Sequence, residues 1–306
     1  MLSIVQHVLA RPHAARMRRR QDRRLKPIKP SRAAELWYRN RLQDLSKALC
    51  IIAKRVLTQG LGPRLPRGMD SSPWDREFEK LRNDPAFMGL SGQAEELSRL
   101  AGKKSLFWVD SRLAKEVSQS LGIDIRAAIS NQGKVMERLK EFQQWNLHLI
   151  SSIPEEFLDK LGEKLSTAWA SGMRVENITD IVDEVGDVTA SRAKLIARDQ
   201  TAKMNAAFNQ VRQTDLGIES YIWQCSLNER VRGNPAGLYP DAVSNHWALH
   251  GKLFRWDEPG PANGTIDGEP CHPGEDVQCQ CDAIPVFDIQ SMEAEATAAE
   301  EAEVLQ

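Results

Sequence analysis

Thr189–Cys225 reads TASRAKLIARDQTAKMNAAFNQVRQTDLGIESYIWQC, and it passes from one kind of secondary structure to the other. Ile196, Gln200, Met204, Phe208 and Val211 fall on one stripe at helical spacing, which predicts a helix over Thr189–Leu216. Gly217 with apolar Ile218 behind it is the ending of a Schellman cap. Past the glycine, Tyr221-Ile222-Trp223-Gln224-Cys225 is aromatic and β-branched, a strand signal. Arg198, Thr201 and Asn205 project away from the apolar stripe, near one another, and read as a polar network anchoring the helix to the sheet that follows.

Further along, Lys252–Trp256 reads as a second strand and Ala283–Phe287 as an edge strand, because Pro285 cannot donate to a ladder. Pro259-Gly260-Pro261 and Asn263-Gly264 are turn signals between them. The expectation is an α+β module, with a small, loop-rich C-terminal sheet packed on a long helix.

Toward the N-terminus the patterns are helical. Leu36, Leu42, Leu45, Leu49, Ile52 and Val56 recur at three- to four-residue intervals, predicting a helix over Ala33–Gln59. A loop or hinge follows at residues 60–73, where Pro63, Pro66, Gly68 and Pro73 act as breakers. Helical patterns interrupted by glycines resume over 74–100, 106–121 and 125–150. Pro154-Glu155-Glu156 reads as the first turn of a helix carrying Phe157, Leu161, Leu165 and Trp169, and 175–185 as a short helix. The first two-thirds of the chain is therefore expected to be predominantly helical.

Composition narrows the class. The 306 residues are 41% hydrophobic and 27% charged, enough to bury a core in one large or two modest domains. No run approaches the roughly 20 apolar residues of a membrane span, and the basic residues follow the short apolar start instead of preceding it, the wrong order for a secretory signal. The net charge of -1 hides an asymmetry. Arg11–Arg32 holds ten Lys or Arg, among them Arg16, Arg18, Arg19, Arg20, Arg23 and Arg24, against the single acid Asp22. Asp288–Gln306 has six acids and no base. The first reads as an extended or disordered arm that contacts DNA phosphates or an acidic protein surface, or as a solvated tail.

Five cysteines, three of them in Cys271, Cys279 and Cys281, do not make a disulfide framework for a chain of this size. His246 and His250 are four apart, and Cys279 and Cys281 form a Cys-x-Cys pair. Together they offer an N2S2 set suited to tetrahedral zinc, with Cys271 and His272 as alternates. A structural ion can supply on the order of 10 kcal/mol of folding free energy to such a loop-rich segment. The competing readings are a disulfide, or thiols buried as small apolar groups with the histidines hydrogen-bonded. A metallohydrolase would need a base beside the histidines, and Trp247 follows His246 where a glutamate would stand. Glu229 could be brought in by folding, and Cys279 with His246 could form a nucleophile pair, but the sequence names no third group. Arg230 reads as the partner of Asp276, pinning the Pro273-Gly274-Glu275-Asp276 loop, or of a carboxylate on another protein.

The ordered set Ile196-Ala197-Arg198-Asp199-Gln200-Thr201, Trp223, Asn228-Glu229-Arg230-Val231-Arg232, His246-x-x-x-His250-Gly251, Lys252-Leu253-Phe254, Pro-Gly-Glu-Asp and Cys-Gln-Cys resembles the C-terminal domain of the Mu F-like phage head morphogenesis proteins, or minor head proteins. The resemblance covers roughly residues 130–287. It departs from the family at Gln200 and Asn228, where carboxylates are usual, and by an insertion over Gly233–Asn245. It implies a non-catalytic assembly factor of the virion that associates with the portal protein or inner capsid during procapsid formation. The arm would touch packaged DNA and the acidic tail a major capsid or scaffold surface, with no small-molecule substrate. The organisation expected is then an arm over 1–32, a helical region over 33–125, the morphogenesis domain over 126–287 and a tail over 288–306.

Overall fold

The computed structural model describes residues 23–60, 73–122, 124–129, 133–171, 177–258, 260, 265 and 267–287. In chain order these form β1 (Arg23–Arg24), α1 (Arg32–Gly60), α2 (Pro73–Arg82), α3 (Pro85–Leu121), α4 (Arg126–Ile129), α5 (Gly133–Ala170), α6 (Ile178–Asp215), β2 (Ser220–Gln224), a 3-10 turn (Trp247–Leu249), β3 (Leu253–Arg255) and β4 (Asp282–Phe287). The architecture is α+β, mostly helical, with a small antiparallel sheet at the C-terminal end. No helix among the described residues is long and apolar enough to cross a membrane. The chain divides into two compact units, Arg32–Gly102 with Glu141–Gln200, and Met1–Ser31 with Lys103–Lys140 and Thr201–Gln306. Helices α3, α5 and α6 contribute a stretch to each.

The first unit is all helical. Leu42, Leu45, Leu49 and Ile52 of α1 are buried as their spacing predicts, whereas Leu36 stays exposed and Tyr38 and Leu57 fill the core instead. Phe157, Leu161 and Leu165 of α5 are fully buried. Three sequence-predicted breaks are absent. Helix α3 runs through Gly102, and its real start is Asp84-Pro85, where the Asp84 carboxylate accepts the Ala86 N–H at 2.9 Å and proline occupies the first helical position. Helix α5 runs through Pro154, because Ile150, Ile153 and Phe157 continue one buried stripe past it. Their burial offsets the roughly 3 kcal/mol that an interior proline costs.

Helix α6 likewise runs unbroken through Gly186, where the sequence predicts a gap between helices over 175–185 and 189–216; residues 175 and 176 lie outside the described residues. This glycine is a packing device. A Cβ placed there would lie 2.3 Å from Cys50 Sγ of α1, and the Gly186 carbonyl accepts the Ser46 hydroxyl at 3.1 Å.

The second unit is built on the C-terminal half of α6. Its Schellman ending is as predicted: Gly217 has φ 80°, Ile218 N–H reaches the Gln213 carbonyl at 2.9 Å and Gly217 N–H the Thr214 carbonyl at 3.0 Å. Strand order is β1-β4-β2-β3, all antiparallel, with Tyr221 opposite both Phe254 and Pro285. Strand β4 is thus internal, contrary to the edge position expected from Pro285. The Pro285 carbonyl accepts Leu25 N–H at 3.1 Å, so its missing N–H faces the same side, just where β1 has ended.

Residues 25–31 are also anchored, although their sequence offers little to bury. Leu25 and Ile28 enter an apolar cluster with Leu113, Val117, Ile125, Ile129, Leu216 and Ile218. Asn205 and Asn209 both donate to the Ile28 carbonyl, at 2.7 and 3.2 Å, and Trp108 donates to the Lys29 carbonyl at 2.9 Å. Arg212, buried beside them, makes a bidentate pair with Asp110 at 2.7 and 3.0 Å.

Candidate metal centre

Strand β2 is buried along Tyr221, Ile222 and Trp223, and buried Cys225 follows directly on its last residue, Gln224. Around it a second, small core collects Val231, Trp256, Cys271, Cys279 and Cys281. Trp256 fixes its ring by donating Nε1–H to Gln213 Oε1 at 3.1 Å. The long connections on either side carry few apolar residues, so their polar and sulfur groups meet in this core.

His246, Cys279 and Cys281 come together there, all buried, with their ligand atoms within 4.8 Å of one another. His246 Nδ1 lies 3.5 Å from Cys279 Sγ and 3.7 Å from Cys281 Sγ. The Cys-x-Cys turn is shaped by Gln278 in the left-handed region (φ 54°) and closed by Cys279 N–H on the Asp276 carbonyl at 3.1 Å. Cys281 N–H then points at Cys279 Sγ, 3.4 Å away, a contact that favours the thiolate.

On its other side, His246 Nε2 is 3.7 Å from Asp276 Oδ2. That carboxylate is paired with Arg232 Nη1, and Arg232 Nη2 donates to the Val277 carbonyl at 2.5 Å. The loop is therefore pinned as expected, by a different arginine. The tight turn closed by Val231 N–H on the Asn228 carbonyl, with Asn228 Oδ1 accepting Arg230 N–H, leaves Glu229 and Arg230 exposed and delivers Arg232 instead.

The other candidates sit elsewhere. His250 Nδ1 accepts the Cys225 backbone N–H at 3.2 Å. His272 Nδ1 meets Tyr221 OH at 2.7 Å, its ring packs 5.1 Å from Trp256, and burial lowers its pKa. Burial, followed by Cys279 and Glu275, pushes the Cys271 thiol up to about 12. Cys225, which the sequence did not single out, lies 3.6 Å from Cys281 Sγ and donates its thiol to the His246 carbonyl at 2.9 Å. Its one sequence signal is its place at the end of a strand made of core residues.

The sulfurs differ in proton affinity. Cys279 is held well below the ordinary thiol range by the Cys281 thiol first and by His246. Cys281 is pushed well above it by hydrogen bonds to Cys225 and Cys279 and by burial. A thiolate beside an imidazole is the donor chemistry of a thiophilic cation such as zinc. Arg198 is half-buried, while Thr201 and Asn205 are buried; Asn205 anchors the 25–31 segment, not the sheet as expected. Of the arm residues, Arg23 and Arg24 form β1, and Arg16, Arg18, Arg19 and Arg20 lie outside the described residues, as do 288–306.

Residues 159–284 match the family described as Phage Mu protein F like protein. An uncharacterised protein of Haemophilus influenzae is 30% identical over 286 residues, covering 90% of this chain, and the chain spans 58% of that relative's length. No solved structure matches the chain.

Proposed function

From the match of residues 159–284 to the Phage Mu F-like family, we propose that this protein is a minor head protein, a non-catalytic component of procapsid and head assembly. It associates with the portal protein or the inner capsid, is assembled in the host cytoplasm and stays in the virion. The observation that carries the non-catalytic part is burial. Cys279, His246 and Asp276 stand in the order of a nucleophile, base and orienting acid, yet they are 6%, 3% and 4% exposed. A substrate carbonyl must approach a nucleophile to about 3 Å, which such enclosure denies.

The groups are instead suited to holding a structural zinc ion, which ties the loops of the domain together. In this reading the arginines of the N-terminal arm neutralise DNA phosphates without reading bases. Residues 25–31 fasten that arm to the domain, through Leu25, Ile28 and the two asparagines. The acidic tail faces a basic patch of the major capsid or scaffold protein.

The test is assembly itself. Heads made without this chain are expected to be misassembled or unfilled, and tagged full-length protein to co-purify with the portal protein and to be present in filled heads. Normal infectious particles formed in its absence would overturn the proposal. Turnover of a peptide or ester that His246→Ala abolishes while the fold survives would replace it with a hydrolase.

A further inference from the structure

We infer that Cys225 is the fourth ligand of a closed, tetrahedral Cys3His site with His246, Cys279 and Cys281, which takes a thiophilic dication of the zinc class. The inference deepens the structural-metal part of the reading above. It replaces the His250 ligand that sequence spacing suggested with a cysteine from the end of β2.

The geometry is the argument. A tetrahedron with metal–sulfur bonds of about 2.3 Å and metal–nitrogen bonds of about 2.0 Å has S···S edges near 3.8 Å and S···N edges near 3.5 Å. Three of the six edges are already near these lengths, 3.6 Å for Cys225 to Cys281, 3.5 Å for Cys279 to His246 and 3.7 Å for Cys281 to His246; Cys225 lies beside the compact trio and not within it, so binding would draw its sulfur inward from the His246 carbonyl, 2.9 Å away. His250 and His272 are turned to other partners, the Cys225 N–H and the Tyr221 hydroxyl.

The surroundings match the charge of such a centre. On binding, each sulfur that still carries a proton releases it to solvent and three metal–sulfur bonds form, so three thiolates and a dication leave one negative charge. The Cys281 N–H already faces Cys279 Sγ, as a donor to a bound thiolate would. Asp276 Oδ2 stands 3.7 Å from Nε2 on the side of the ring away from the sulfurs, Nδ1 faces Cys279 and Cys281, and Arg232 balances the carboxylate. One ion would join the end of β2, the approach to its paired strand β4, and the residue before the 3-10 turn, which a long loop separates from β2.

The full-length chain, purified under reducing conditions without added metal, is measured by elemental mass spectrometry and then refolded with Co2+ for absorption spectra. One zinc per chain is expected, with Co2+ spectra of a tetrahedral site bearing three thiolates. Cys225→Ser is expected to lose at least tenfold in metal affinity and to weaken the sulfur-to-cobalt absorption. His250→Ala and Cys271→Ser should keep both. The wild-type cobalt spectrum counts thiolates without any variant, so a misfolded Cys225→Ser protein does not mask the answer. A two-thiolate spectrum, metal lost on His250→Ala with Cys225→Ser unaffected, a Cys225–Cys281 disulfide, or no bound metal would each overturn the inference. These readings are made on isolated protein, so their failure is distinct from a failure in head assembly.

Discussion

Gly186→Ala should destabilise the helical unit by about 1–3 kcal/mol, although alanine is the better helix former. The added Cβ would stand 2.3 Å from Cys50 Sγ, where ordinary contact needs about 3.5–4.0 Å, so more than 1 Å must be absorbed between two packed helices. Overpacking of this kind costs about 1–3 kcal/mol. Any retreat of α6 also stretches the 3.1 Å bond from Ser46 to the Gly186 carbonyl, worth about 0.5–1.5 kcal/mol. Against these stands a helix-propensity gain of about 1 kcal/mol. Rotation of the Cys50 thiol relieves part of the clash but forfeits its 3.8 Å contact with the Val182 carbonyl. Urea denaturation followed by circular dichroism measures the difference, with Gly89→Ala as the control. A Cβ at Gly89 meets nothing within 4 Å, so that change should stabilise by about 0.5–1 kcal/mol. In a Cys50→Ala background the cost of Gly186→Ala should largely vanish. A Gly186→Ala protein as stable as the Gly89→Ala control, or a cost unchanged in the Cys50→Ala background, would refute the close-contact argument.

Ile28→Ala should cost about 2–5 kcal/mol and speed proteolysis near residues 25–31, because Ile28 is 6% exposed in its cluster; a loss under about 0.5 kcal/mol would mean that the segment is not held by this side chain. Burial lowers the pKa of His272 below 6.5, so the unfolded chain binds its proton more readily and the stability tied to neutral His272 declines as pH falls below about 6.5. Denaturation midpoints from pH 8 to 5 should therefore fall more steeply for the native protein than for His272→Gln, and parallel curves would count against it. Replacing Arg18, Arg19 and Arg20 with alanine should weaken DNA binding equally for all sequences and reduce the salt slope by about 0.9 per lost phosphate contact; an unchanged slope would put the DNA contact elsewhere.

Periodicity located the helices well and their ends poorly. The stripe of α1 and the Gly217 cap were legible because spacing and a left-handed glycine are local signals. Gly102, Pro154 and Gly186 look like punctuation in the sequence because the local cost of each, about 1–3 kcal/mol, is offset by packing that only the tertiary structure reveals. Gly186 is explained by Cys50, 136 positions away in sequence (186 − 50), and nothing in the local pattern points to it. Pro285 misled in the same way. Its side of the ladder is set by where the two-residue β1 stops, and β1 arises from a segment that composition alone made look free of structure.

The site shows the same division between local and distant information. A Cys-x-Cys pair is close in sequence and therefore legible, and so is His246, through the histidine four residues on. That spacing assumes an α-helix, and residues 247–249 instead form one 3-10 turn, which sends His250 to the backbone of Cys225 while His246 joins Cys279 and Cys281. Sequence alone does not separate Arg230 from Arg232, since the turn at Asn228 decides which of the two arginines faces Asp276. Cys225 had no neighbour to mark it, and it enters because β2 pairs with β4, carrying the end of one strand to the sulfur that precedes the other. The ligand set is thus a property of strand register. A change that shifts β2 against β4 by one residue would turn Cys225 to the opposite face and dismantle the cluster with every candidate ligand still in the sequence.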